Sequence, residues 1–434
     1  LSEDLESEFG SDHEIEVKNL SDVAPEDLDL SALIHPGEAI AWGQASGEPL
    51  TLTRALMAQR HDLGGVRAFV GVSWHDTLDP AHADAIDFMA YCGTGRTRLL
   101  HKAGALDILP VHYSQFEHYL SPRIDVLFLH LAPGRAPGSY SFSMACEYLW
   151  PLVKSARLVI AEVNTKAPAT PGLVEIDAGD IDVIVPTARD LPTPPNAPVT
   201  ETHRAIAGII AGLVPDGATL QVGLGAIPAA ILDALSGHRH LGVHTGLYVD
   251  GFTDLIDRGV IDNSRKGLDQ GTSVAGLITG TEPTLRLCHE TDLITLAPTS
   301  HTHALGNLAQ LNAFTSINSA IEVDLTGQIN SELAGSAYVG AVGGGPDFAR
   351  GAALSPGGLP ITALPAARTG RDGSLVSSIV PTLGGPVSIS RADAGIIVTE
   401  FGCADLRGRT VSERRAAMLA IAHPDLRDQL AAAG

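Results

Sequence analysis

The chain has 434 residues, 44% of them hydrophobic and 18% charged, with 50 acidic against 28 basic side chains and a net charge of −22. That length supports two or more domains with real cores, and the acidic balance argues against a nucleic-acid surface, which needs clustered Lys and Arg. No apolar run approaches the roughly 18 residues that span a bilayer, and no signal-peptide pattern occurs, so a cytoplasmic protein with no membrane or nucleic-acid partner is expected.

In chain order, residues 1–12 (LSEDLESEFGSD) are acidic and Ser-rich and read as a tail or remnant outside the fold. A helical segment then leads into a strand over 38–44 (EAIAWGQ), which ends in a Gly/Ser loop. Residues 51–60 read as a helix and 66–72 as a buried strand, and the apolar runs 124–131 and 158–163 have strand length. Strands separated by helix-length segments predict βαβ units and a mostly parallel sheet. Four prolines in residues 190–199 (DLPTPPNAPV) mark a linker. The α/β pattern restarts after it, with an amphipathic helix at 201–213, a strand at 218–222 and a helix at 227–235. This predicts an N-terminal domain over 13–189 and a C-terminal domain over 200–434. In SINSAIEVDLTGQINSE (316–332), Ile317, Ile321, Val323 and Leu325 alternate with polar residues as in one strand, and Thr326-Gly327-Gln328 reads as a turn.

Two glycine loops are the candidates to carry chemistry. Gly223-Leu224-Gly225-Ala226-Ile227-Pro228 follows a strand and opens a helix, where unpaired N–H groups can meet an anion or oxyanion. A plain structural turn is the alternative, and an NAD-type reading fails for want of a third glycine and a following acidic residue. Gly340-Ala341-Val342-Gly343-Gly344-Gly345-Pro346-Asp347-Phe348 is the second loop, against the alternative of a flexible surface loop. Metal binding is not expected. The acidic and amide residues of 324–332 lack calcium-loop spacing, and His301-Thr302-His303 reads as a loop with solvated or hydrogen-bonded histidines. No G-x-S-x-G elbow occurs, so a serine-hydrolase mechanism has no support. The four cysteines are far apart, without CxxC spacing, and read as reduced, mostly buried thiols. Arg265 and Lys266 are candidate partners for phosphate, or simply an exposed basic pair.

The 316–332 segment resembles the C-terminal signature of the acetyl-CoA hydrolase/transferase family. AEVN (161–164), GLGAIPAAIL (223–232), LGVHTGLYVDGFTDLIDRG (241–259), VTEFG (398–402) and AIAHPDLRDQL (420–430) support it in order and spacing, over nearly the whole chain. The resemblance implies two similar open-sheet α/β domains of the CoA-transferase type, a homodimer, and a site at the domain interface. It implies an acyl-CoA thioester as substrate, with a small acceptor and no tightly bound cofactor. It places Gly223, Gly225, Ala226 and Ile227 against CoA or the thioester oxygen, faced across the cleft by Gly343, Gly344, Gly345, Asp347 and Phe348. One position departs from the pattern: where the transferases carry their nucleophilic glutamate, this chain has Gly246. Glycine cannot form the glutamyl intermediate, and its lack of a side chain leaves room for a water or a larger acyl group. Asp250 is a candidate substitute carboxylate, and Glu332, like Glu322 and Glu400, lies in a matching motif and reads as supporting. Thioester cleavage by hydrolysis or by transfer is the leading expectation, and a non-catalytic acyl-CoA binder is the alternative.

Overall fold

The computed structural model describes residues 21–195, 198–370 and 372–433, so the 1–12 tail lies outside the described residues. The first sheet contains eight parallel strands: β1 (Ser21–Asp22), β2 (Ala39–Trp42), β3 (Val66–Val70), β4 (Ile86–Ala90), β5 (Asp107–Ile108), β6 (Val126–Pro133), β7 (Leu158–Asn164) and β8 (Val183–Thr187). Their spatial order is β1-β8-β7-β6-β2-β3-β4-β5. The second sheet contains β9 (Thr219–Val222), β10 (Gly242–Tyr248), β11 (Ser273–Ile278), β12 (Ile294–Leu296), β13 (Thr315–Ser319), β14 (Leu359–Ala363), β15 (Ile396–Thr399) and β16 (Gly402–Asp405). Its order is β12-β11-β10-β9-β13-β14-β15-β16, parallel except for the final β15–β16 hairpin.

Central strands of both sheets are buried on two faces, which explains why they read as continuous apolar runs rather than alternating ones. Every residue of β2, β7 and β11 is buried. Trp42 on β2 stacks on Phe128 of β6 at 6.5 Å, and Phe69 on β3 meets Phe116 and Tyr148 edge-on at 5.8 and 5.7 Å. One apolar cluster runs from Tyr113 and Phe116 in the first domain to Val222 and Ile317 in the second, so the two sheets share a core.

Two expectations need correction. The segment before β2 forms short 3₁₀ turns, Pro25–Asp27 and Leu30–Ala32, rather than a helix. The 316–332 run is not one strand. It splits at Ala320 into β13, inside the second sheet, and Glu322–Asp324, which pairs with Ile329–Asn330 and Ile379–Val380 in a small separate sheet. Alternation continued through the break and hid it. The 326–328 turn is present: Asp324 Oδ1 accepts from Thr326 N at 2.8 Å and Gln328 N at 3.0 Å, and Gly327 takes a φ of +97°.

Parallel sheets offer ligand sites at the carboxyl ends of strands where the strand order reverses. The first sheet reverses between β2 and β6, and the second between β9 and β13. Gln44 follows β2 and Gly223 follows β9, and both line one cavity between the domains. A crossing segment sets that geometry. Ile278 N of β11 donates to Met144 O at 2.7 Å, Cys146 N to Gly276 O at 3.0 Å, and Thr299 N to Glu147 O at 3.0 Å. A single antiparallel bridge between Ala145 and Leu277 thereby ties the first domain to β11 and carries Glu147 to the cavity wall.

Candidate active site

The interdomain cavity measures about 240 Å³ and is lined largely by apolar side chains, among them Val72, Trp74, Leu277 and Phe348. Both glycine loops reach it, through Gly223 and Leu224 on one side and Gly343, Gly344 and Gly345 on the other. The helices Ala226–Ala234 and Gly345–Leu354 begin at these loops, so two helix N-termini with unpaired N–H groups flank the space. Gly225 has a φ of +126°, a conformation that requires glycine. Gly225, Ala226, Ile227 and Asp347 lie just behind the lining rather than in it.

Gly246 lies on β10 and lines the cavity, with a histidine ring close beside it. A Cβ there would stand 3.2 Å from both Cε1 and Nε2 of His303 and 3.5 Å from Phe348 Cε2. The imidazole therefore crowds the first atom of any side chain at this position and would have to give by a few tenths of an ångström, while the half-buried Gly246 keeps its place on the cavity wall. His303 is buried at 3% exposure, stacked between Tyr113 at 4.8 Å and Phe348 at 4.4 Å, with Nδ1 bonded to Thr302 Oγ1 at 2.8 Å. Of the two expected alternatives it is the hydrogen-bonded one, and it is buried. Burial pushes its pKa down to about 3, so the ring is neutral. Gly344 is fixed by the same ring, since a Cβ there would lie 2.6 Å from His303 Nε2.

A buried polar cluster faces Gly246 from the first domain. Gln44 Oε1 accepts from Val72 N at 2.9 Å and Tyr91 Oη at 2.8 Å, which turns its amide nitrogen the other way. That nitrogen donates to Glu147 Oε2 and to Tyr113 Oη, both at 2.8 Å, and the Tyr113 hydroxyl donates to the same Glu147 oxygen. Burial raises the Glu147 pKa to about 7 against these hydrogen bonds. Sequence reasoning missed Tyr113, Glu147 and the role of His303. Its only signal for Glu147 was one carboxylate in the apolar run 142–150 (FSMACEYLW).

The other carboxylates hold structure. Asp250 Oδ1 accepts from Thr281 N and Thr284 Oγ1 at 2.8 and 2.6 Å, at the start of the Glu282–Glu290 helix and outside the cavity lining. Glu332 accepts from Tyr338 Oη at 2.7 Å and Ser388 Oγ at 2.6 Å, also outside the lining. Glu322 and Glu400 accept from the backbone nitrogens of Gly384 and Ala366. Asp347 clamps the domains together, accepting from Ser114 N at 3.0 Å and Ser114 Oγ at 2.7 Å. Removing it in Asp347→Ala takes the acceptor from two half-buried donors, and a loss of about 1 kcal/mol is expected. Urea unfolding measures it, and unchanged stability would rule out the clamp.

Lys266 is not a phosphate partner, because it is 1% exposed and its ammonium donates to Val243 O and Thr272 O at 2.9 and 2.8 Å. Arg265 packs on Gly217, at the opposite end of β9 from the cavity. His244, Asp269 and His301 bring one ligand atom each within 4.8 Å of one another, a set that could hold a metal by residue type. His301 Nε2 is engaged by Asp269 Oδ2 at 2.8 Å, whereas His244 Nδ1 stands 3.9 Å from the same carboxylate and its Nε2 bonds Thr302 O at 3.2 Å.

Family models for the acetyl-CoA hydrolase/transferase N-terminal and C-terminal domains match residues 24–190 and 280–433. The chain belongs to the acetyl-CoA hydrolase/transferase family. It is 33% identical over 410 residues to a succinyl-CoA:cyclohexane-1-carboxylate CoA transferase of Geobacter metallireducens, with 93% of each chain covered. It is also 33% identical over 399 residues to a 4-hydroxybutyrate coenzyme A transferase of Clostridium kluyveri, covering 90% of this chain and 92% of that one. Among solved structures it resembles RipA from Yersinia pestis, with a TM-score of 0.87, 32% identity, and coverage of 95% and 96% of the two chains. Within this acetyl-CoA hydrolase/transferase fold, the cavity occupies the interface between the two open sheets. Among the described residues, no helix is long and apolar enough to cross a membrane.

Proposed function

We propose that this member of the acetyl-CoA hydrolase/transferase family cleaves the thioester of a small acyl-CoA in the interdomain cavity, passing the acyl group to water or the CoA to a small acceptor. The observation that carries the reading is the pair of glycine loops facing each other across an apolar cavity beside Gly246. Backbone N–H groups at the two helix starts are suited to the thioester carbonyl as it becomes an oxyanion, an effect often worth about 3 kcal/mol per donor. On this reading Gly223, Gly225, Ala226 and Ile227 form one wall of the acyl-CoA site, and Gly343, Gly344, Gly345 and Phe348 the other, braced by Asp347. Asp250 and Glu332 support the site by holding its surrounding loops.

On this reading the glutamyl-CoA route is closed at Gly246 because glycine has no carboxylate, and His303 crowds the position beside it. The described cysteines form no disulfide, in keeping with work in a reducing compartment such as the cytoplasm, and the family resemblance favours a homodimer. Thiol release from a panel of short acyl-CoAs, each with and without a carboxylate acceptor, tests the proposal. Release in at least one condition is expected. Binding without release in either would make the chain a non-catalytic acyl-CoA binder.

A further inference from the structure

The loss of the carboxylate on β10 is matched by a carboxylate from the other domain. Glu147 Cγ and the Gly246 carbonyl oxygen lie 3.4 and 3.2 Å from the same point, the position a Gly276 side chain would take. Glu147 thus reaches the cavity wall beside the place where the family glutamate is missing. Its two oxygens differ. Oε2 is held by Tyr113 and Gln44, whereas Oε1 is buried with no hydrogen-bond partner among the described residues. The protein fixes one side of this carboxylate and supplies no donor to the other. An unmet buried acceptor of this kind is costly unless a bound molecule completes it.

The backbone is also committed. Glu147 has a φ of +34°, a left-handed conformation that a residue with a side chain adopts at a cost. Flanking bonds enforce it: Cys146 N donates to Gly276 O, and Glu147 O accepts from Thr299 N.

We propose that Glu147 is the general base of this site, its Oε1 taking a proton from a water that attacks the acyl-CoA carbonyl, so that the chain is a thioester hydrolase. This rests on the acyl-CoA-cleaving reading above. In the first step the water oxygen bonds to the acyl carbon while Glu147 accepts one water proton, and the carbonyl becomes an oxyanion facing the glycine loops. The oxyanion then collapses, the C–S bond breaks with its electron pair on sulfur, and Glu147 returns the proton to the thiolate. One thioester and one water give one carboxylic acid and one CoA thiol.

The surroundings fit a base rather than a permanent anion. Facing Glu147 are Tyr91, Tyr113, Tyr148 and Cys146, all pushed up in pKa and neutral, and beyond Tyr113 the neutral His303. No cation in this set holds the carboxylate ionised, and burial brings its pKa to about 7, near the optimum for proton transfer at neutral pH.

The test follows kcat/KM for thiol release, without acceptor, from pH 5 to 9 in wild type, Glu147→Gln, Glu147→Asp and Tyr113→Phe. Wild type is expected to gain rate as pH rises through about 7. Glu147→Gln should lose about 100-fold or more and the pH limb with it. Glu147→Asp should keep the limb at reduced rate, and Tyr113→Phe should displace it, changes that a merely structural residue would not cause. A single turnover in ¹⁸O-water should label the product acid and leave the Glu147 peptide unlabelled. Label in that peptide would show covalent attack by Glu147 and overturn the proposal. So would a full-rate, pH-dependent Glu147→Gln enzyme, or a wild type that releases thiol only with an acceptor acid; this last result would leave the acyl-CoA-cleaving function standing. Release in neither condition would remove both.

Discussion

Gly246→Glu alone is expected to give little acid-dependent CoA exchange, whereas Gly246→Glu combined with His303→Ala gains it, the double variant exceeding the single by about 100-fold. The backbone presents no obstacle, since Gly246 lies within strand β10 and outside the left-handed region. The obstacle is the imidazole 3.2 Å from the new Cβ, closer than side chains ordinarily pack and held between the rings of Tyr113 and Phe348. A glutamate forced past it leaves its productive rotamer, and displacement by about 1 Å from attack geometry costs about two orders of magnitude. Removing the ring opens the path. Borohydride-sensitive glutamyl-CoA in the double variant, measured alongside exchange between an acyl-CoA and a carboxylic acid, is the readout. Equal activity in the single and double variants would show that His303 does not gate this position.

The second large effect is on stability. The Glu147 pKa is raised by burial from 4.5 to about 7, so the native state holds a proton there that the unfolded chain releases. Native stability from this group is therefore full below pH 4.5 and is lost as pH rises to about 7, by about 3 kcal/mol in all. Glu147→Gln cannot lose that proton. Relative to wild type, its stability is expected to improve by about 3 kcal/mol between pH 4.5 and pH 8. Lys266, lowered by burial to about 7, has the opposite sign, gaining stability from about 7 up to 10.5, and it cancels because both chains carry it. Urea titrations of the two proteins at several pH values give the difference directly, and parallel curves would refute it. A variant that is more stable at pH 8 and inactive would be the signature of a strained catalytic carboxylate.

Much of the architecture was legible in the chain. The strands β2, β3, β7 and β9 and the helices over 50–59, 201–211 and 226–234 fall within two residues of their expected bounds. Local propensity and burial point the same way in these elements, so reading along the chain suffices. The break at Ala320 was not legible, because alternating residues satisfy either of two sheets and only strand pairing chooses between them.

The site divides along the same line. Both glycine loops could be found from sequence, since a turn after a strand and before a helix is a local event, and the missing glutamate at Gly246 shows as a departure at one position. Glu147, Tyr113, Gln44 and His303 could not be joined this way. They come from segments up to 259 positions apart, from Gln44 to His303, and both sheets must close before they meet. Their chemistry is created by that closure. In water Glu147 would be an ordinary carboxylate and His303 an ordinary imidazole; burial makes the first a base near neutrality and holds the second neutral. Sequence by itself determined most strands of the two sheets, the glycine loops and the absence of a side chain at position 246. Only the tertiary structure decided what stands in the space before Gly246 and which carboxylate lies beside it, because desolvation and contact between distant segments exist only in the folded chain.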